Sequence, residues 1–263
     1  MKSLRPITAF GLIVSCLVLL VGIAVPHAAA WSSKEGNPFE AIHTRITKDA
    51  IDRCSRSHPE SQSPLFKEAL IEGANMELHE LASTPAAREI GTGYRVNVEQ
   101  KRIRHGGTNE GCNHIEGWWQ DALAAYKAGN KKQAYFVLGI MLHMIEDMGV
   151  PAHAKGLYHQ GNATEFDNFE FMALTNWKPN FDPFKGGTAQ KDPLFKDPSK
   201  YYAFSRAWTL SDAPHYNNTH TFSKAWAHAT LAERQLMSNR QGRTCIVTYW
   251  ALNSACKAFA LTQ

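Results

Sequence analysis

Outside residues 7–25 the sequence has no apolar stretch long enough to cross a bilayer, which takes about 20 predominantly apolar residues. It has no Gly-x-Ser-x-Gly elbow and no P-loop, so serine-nucleophile hydrolysis and P-loop phosphate binding find no support. Internal repeats and heptads are also missing, which excludes solenoids and coiled coils. No two cysteines stand in C-x-x-C spacing, so a thiolate zinc site is not expected. Excess charge is small as well: of 28 Lys and Arg, Lys2 and Arg5 lie in the N-terminal leader, leaving 26 against 24 Asp and Glu. An excess of +2 is too weak to argue for a nucleic-acid partner.

What is present suits one exported globular domain. At 263 residues with 44% hydrophobic content, the chain can bury a full core. Residues 1–30 read as a cleaved secretory signal: Lys2 and Arg5, an apolar run from Ile7 to Val25, then Ala28-Ala29-Ala30. Ile13-Val14-Ser15-Cys16 faintly resembles a lipoprotein signal but lies inside the apolar run, so lipidation is not expected. The product is secreted, extracellular or periplasmic, and residues 31–263 form its single domain. Cys54, Cys112, Cys245 and Cys256 remain after cleavage. An even number in an exported chain suggests two disulfides. The pairing chosen is Cys245 with Cys256, which requires a turn in the helix-like sequence between them.

The most informative stretch is His143-Met144-Ile145-Glu146-Asp147-Met148-Gly149-Val150-Pro151-Ala152-His153. His143 and Asp147 are four apart at the end of the apolar run Tyr135–Met148, which places them on one helix face, a turn apart. Gly149 and Pro151 stop the helix and let His153 fold back toward the same spot. A carboxylate in the last helical turn opposes the macrodipole, so Asp147 needs a local reason to be there. Each of these side chains alone would pass for an ordinary hydrogen-bonded residue. Two imidazoles and a carboxylate converging together suit zinc.

The pattern H-x-x-x-D-x-x-x-P-x-H-A, preceded by Gln133-Ala134-Tyr135-Phe136-Val137-Leu138-Gly139, resembles the core motif of the secreted bacterial zinc-dependent phospholipases C, the alpha-toxin type among them. Single-strand-specific zinc nucleases share that fold and much of the motif. The resemblance covers about residues 31–177 and implies an all-α, single-domain helical phospholipase C or zinc nuclease-like fold. It also implies about three zinc ions per chain, with Asp147 bridging two of them.

Other ligands follow from the resemblance residue by residue. Family members begin, once mature, with a tryptophan whose amine and carbonyl oxygen bind zinc, and cleavage after Ala30 makes Trp31 that residue. An α-amine has a pKa of about 8, so zinc can displace its proton near neutral pH. His43, twelve residues on, matches the helix histidine that shares this zinc. His105, beside Gly106 and Gly107, or alternatively His114, matches the loop histidine that joins His143. The family's base aspartate has no counterpart, because no aspartate lies between Asp52 and Asp121. Glu77 would then act as zinc ligand and general base, with Glu72 and Glu80 as alternatives. His153 would share a further zinc with His159 and Glu170, although the family's H-x-x-x-E spacing is absent.

Helical apolar spacing is expected over Pro38–Cys54, Pro64–Leu81, about Asn113–Ala128, and the run through Met148. The stripe Ile115, Trp118, Trp119, Leu123 and Tyr126 reads as core, and Gly129-Asn130 closes its helix. Residues 177–200 read as a long loop whose Phe181, Phe184 and Phe195 either meet a lipid surface or pin the loop to the body. Two or three more helices fill Tyr201–Gln263.

The implied activity is a zinc-dependent phospholipase C: metal-activated water cuts glycerophospholipids to diacylglycerol and a phosphorylated head group, with contact to the membrane surface. Glu170 is the acid type of the phospholipases, where the nucleases tend to have aspartate, and the near-neutral charge disfavours a polyanionic substrate. A zinc-dependent nuclease, or a non-catalytic zinc- or membrane-binding relative, stays as the alternative.

Overall fold

One helix organises the rest, because its sequence is apolar on every side and a helix of that kind can only be a core element. Every residue from Ala134 to Val150 is buried. The structure is a computed structural model and describes residues 42–75, 109–155, 177–181, 191–212 and 231–262. Among these, every regular element is helical, so the fold is all-α. The leader, Trp31, Glu77, Glu80, His105, His159, Glu170 and Phe184 lie outside the described residues, as do the side chains of Cys112 and His114.

In chain order the helices are α1 (Ile42–Cys54), α2 (Pro64–Ala74), α3 (Asn109–Lys127), α4 (Lys131–Asp147), α5 (Pro151–Lys155), α6 (Lys200–Asp212) and α7 (Leu231–Ala260). A short 3-10 turn, Pro59–Gln62, joins α1 to α2. The central helix α4 packs most extensively against α2 and α3, while α7 lies along both α1 and α4. None of the described helices is long and apolar enough to cross a membrane.

Local sequence explains the boundaries. On α1 the buried apolar residues are Ile42, Ile46, Ala50, Ile51 and Cys54, a stripe of helical period, with Asp52 and Arg53 on the outer side. Pro64 opens α2 at a first-turn position, where its missing N–H costs nothing. Leu65 belongs to the apolar pattern of that segment, yet it is 48% exposed. It sits in the first turn, before the helix meets α4. Gly129 closes α3 with φ +81, a left-handed conformation open to glycine, and α4 begins two residues later. At the other end of α4 the chain turns through Met148-Gly149-Val150. Gly149 N–H donates to the Glu146 carbonyl at 2.8 Å and Val150 N–H to that of Asp147 at 2.9 Å, before Pro151 starts α5.

The approach of α2 to α4 is unusually close because two glycines face each other. A Cβ at Gly73 would stand 3.0 Å from Gly139 Cα and collide with the Phe136 carbonyl oxygen. One at Gly139 would stand 2.9 Å from Gly73 Cα and collide with the Leu70 carbonyl. The backbones therefore meet without side chains between them. This brings the C-terminal end of α2 against the middle of α4.

The aromatic stripe of α3 is core. Trp118, Trp119 and Tyr126 are buried, and Phe259 of α7 stacks on Tyr126 at 4.2 Å and on Trp119 at 5.6 Å. Residues 177–181 and 191–199 carry no helix or strand. Both described loop phenylalanines pin this segment to the body. Arg53 lies over Phe181 at 4.4 Å, and Phe195 packs edge-on against Tyr201 at 5.1 Å. Ser254 donates to the Phe195 carbonyl at 2.6 Å.

The cysteine expectation is corrected. Cys54, Cys245 and Cys256 are buried free thiols, so no disulfide joins Cys245 to Cys256. The turn that the pairing required is absent, because both residues lie on the uninterrupted helix α7. Eleven residues at 1.5 Å rise separate them by about 16 Å, against about 7 Å that a disulfide tolerates between Cα atoms. No disulfide forms among the described residues.

Candidate metal centre

Three helices meet where α4 turns polar. The helix α4 contributes His143, Glu146 and Asp147, which at spacings of three and four share one face. From α1 come His43 and Thr47, one turn apart and both buried beside its apolar stripe. The end of α2 contributes the Ala74 carbonyl, held there by the glycine contact. His43, His143, Glu146 and Asp147 all have 0% exposure.

The two imidazoles stack, with centroids 4.1 Å apart and planes 21° from parallel. Each is held at Nδ1. His143 Nδ1 donates to the Ala74 carbonyl at 2.8 Å, and His43 Nδ1 donates to Glu146 Oε2 at 2.5 Å. Glu146 uses its other oxygen to accept from the Thr47 hydroxyl at 3.0 Å. With both Nδ1 atoms engaged, both Nε2 atoms face Asp147. His43 Nε2 is 3.4 Å from Asp147 Oδ1, and His143 Nε2 is 3.4 Å from Asp147 Oδ2. The carboxylate thus turns one oxygen toward each ring.

That arrangement fits a cation. His43, His143 and Asp147 each offer a ligand atom, all within 4.8 Å of one another. Two ligands bound about 2.1 Å from one four-coordinate ion stand about 3.4 Å apart. The two nitrogen–oxygen distances have this value, which exceeds the ~2.9 Å of a good N–H···O bond. Holding each ring at Nδ1 also fixes the tautomer in which Nε2 carries the lone pair on the Asp147 side.

Electrostatics point the same way. Burial and the neighbouring His143 lower the His43 pKa, but the facing carboxylates of Asp147 and Glu146 outweigh them and raise it above the ordinary value. For Glu146 burial dominates and raises the carboxyl pKa against the opposing pull of His43, His143 and Thr47. Two carboxylates enclosed with two imidazoles make a site that favours positive charge, which a cation would supply.

Of the expected ligands, then, the structure brings together His43, His143 and Asp147, from segments a hundred residues apart in sequence. His153 is buried on α5 but does not belong to this three-residue group. Arg206 of α6 fixes the position of α5 by donating to the Ala154 carbonyl at 2.8 Å. Glu72, an alternative base, is exposed on α2. Sequence reasoning overlooked Glu146 and Thr47. Glu146 lies inside the same apolar run as Asp147, and a charge there called for an explanation just as Asp147 did.

A scan against protein-family models finds no match to this chain, and a search of the curated proteins finds none either.

Proposed function

We propose that the chain is a secreted zinc-dependent phosphodiesterase of the phospholipase C type, releasing diacylglycerol and a phosphorylated head group from glycerophospholipids. One observation carries this reading: Asp147, on the H-x-x-x-D helix, turns one oxygen to His43 and the other to His143. A carboxylate shared between two zinc ions, one held with Trp31 and His43 and the other with His105 and His143, would be oriented in this way. The resemblance named the three residues from motif spacing, and the fold brings them together from α1 and α4.

In this reading Trp31, His43, Glu77, His105, His143, Asp147, His153, His159 and Glu170 hold about three zinc ions. Zinc, when bound, supplies Lewis-acid stabilisation of negative charge on a phosphoryl group and makes water a better nucleophile near neutral pH. The protein's own contribution is orientation. The Ala74 carbonyl and Glu146 each hold one imidazole by Nδ1, so both Nε2 atoms point inward without reorganisation. Asp147 is fixed by the last turn of α4, and Glu77 would accept the proton of the attacking water. Glu170 and the near-neutral charge favour a phospholipid over a polyanion.

The test is phosphocholine release from phosphatidylcholine vesicles by protein whose first residue is Trp31, with and without a zinc chelator. Chelator-sensitive release is the expected result. A zinc-loaded protein that releases nothing, yet cleaves single-stranded nucleic acid, would replace the phospholipid with that substrate. A protein with neither zinc nor release would overturn the reading.

A further inference from the structure

We infer that Glu146 is the positioning residue of the metal centre, acting on it through His43. The inference rests on the metal-centre part of the proposed function. It assigns a role to a side chain that is not among the nine expected ligands.

Three observations converge on it. Glu146 Oε2 lies 2.5 Å from His43 Nδ1, so the imidazole edge opposite Nε2 is fixed by a carboxylate. Its other oxygen is held by Thr47, one turn along the helix that carries His43, so Glu146 grips α1 at two points. Both carboxylate oxygens are thereby engaged, and Glu146 stands outside the group of His43, His143 and Asp147, as a partner of one of its members. Finally, His43, Thr47 and Glu146 have no exposure, so bulk solvent does not reach these bonds.

The role is electrostatic as well as geometric. Glu146 adds a second buried carboxylate to the described centre beside Asp147, and a buried carboxylate is stabilised by a nearby cation. A carboxylate behind His43 also makes its Nε2 a stronger donor to a metal. His143 has a backbone carbonyl in the equivalent place. The two rings are therefore unequal, and the His43 side depends on a charge that a substitution can remove.

Glu146→Gln tests this with little change of shape. Glutamine can accept from His43 Nδ1 through its oxygen and donate to the Thr47 hydroxyl through its amide, so the bonds persist while the charge goes. Cobalt(II) is titrated into metal-free wild-type and variant chains at fixed pH. Affinity is read by competition with a chelator, and the visible absorption reports the ligand field. The expected result is a tenfold to hundredfold loss of affinity in Glu146→Gln, in the range typical of such partners, with an altered spectrum. Thr47→Val, which keeps the charge and removes one of its anchors, should lose affinity several-fold. A purely structural role would lower the melting temperature in EDTA and leave the affinity of the folded molecules unchanged. Equal cobalt affinity in wild type and Glu146→Gln overturns the inference and leaves the metal centre standing. A wild type that binds no cobalt overturns both. Should Glu146→Gln fail to fold, a Thr47→Val chain binding as tightly as wild type overturns the inference.

Discussion

Replacing Gly139 by alanine should damage the fold and the metal centre together, although in an isolated helix the same change would be favourable. Alanine in a helix interior is about 1 kcal/mol better than glycine. Here the added methyl would collide with the Leu70 carbonyl oxygen and stand 2.9 Å from Gly73 Cα, both of them backbone atoms that cannot rotate aside. Restoring ordinary contact requires α2 and α4 to separate by roughly 1 Å, and overpacking of this kind costs about 1–3 kcal/mol. The same separation stretches the 2.8 Å bond from His143 Nδ1 to the Ala74 carbonyl, a loss of about 1 kcal/mol. The net loss is then about 1–3 kcal/mol, or roughly 2–12 °C in melting temperature for a chain of this size. Gly117→Ala is the control. That glycine is exposed on α3, and nothing lies within 4 Å of the place its added methyl would take, so the change should stabilise by up to about 1 kcal/mol. Thermal melts by circular dichroism in EDTA compare the two, and cobalt titration reads the centre. A Gly139→Ala protein as stable as Gly117→Ala, with undiminished cobalt affinity, would refute the argument that backbone contact sets the His143 ring.

Asp147→Asn should abolish the stabilisation that zinc confers. Wild type at 100 times the dissociation constant should gain about 2.7 kcal/mol, and a variant melt that still rises with added zinc would exclude Asp147 as a ligand. Cys54, Cys245 and Cys256 should resist alkylation in the native protein at pH 8 and react fully, without reductant, in guanidinium. They are buried free thiols, and burial pushes the Cys54 pKa up to about 12; peptide mass spectrometry reads the sites, and a Cys245–Cys256 bridge would contradict the helix between them. Glu116→Gln should change stability by less than about 1 kcal/mol in urea melts, because its ion pair with Lys200 is half exposed on both sides.

The helices were legible because their apolar spacing coincides with burial. The stripe of α1 and the aromatic face of α3 could be read from period alone, and the end of α4 from Gly149 and Pro151. Where local pattern and tertiary contact part company, the reading failed. Leu65 fits the period of α2 but lies ahead of its contact with α4. Cys245 and Cys256 look close in sequence, whereas an unbroken helix carries them apart. Nothing in spacing announces that Gly73 and Gly139 face each other, since each is a lone glycine in a helical run and their relation exists only once α2 lies on α4.

The metal centre divides along the same line. His143 and Asp147 belong to one helix, so their relation is a matter of spacing and could be read directly. The approach of His43 is a long-range fact, and only a motif resemblance suggested it in advance. Glu146 lay in plain view beside Asp147, but a carboxylate next to an expected ligand reads as redundant until its partner is known. A helix buried on all sides from Ala134 onward has no solvated face on which to place a charge, so each carboxylate in it needs its own partner. Asp147 has two imidazole nitrogens facing it, and Glu146 has the far edge of His43 and the Thr47 hydroxyl. Adjacent acids on this buried helix therefore have different partners, one facing both imidazole Nε2 atoms and one the back of the His43 ring, and if a cation binds between the first set, removing the second acid should weaken its binding without removing a ligand.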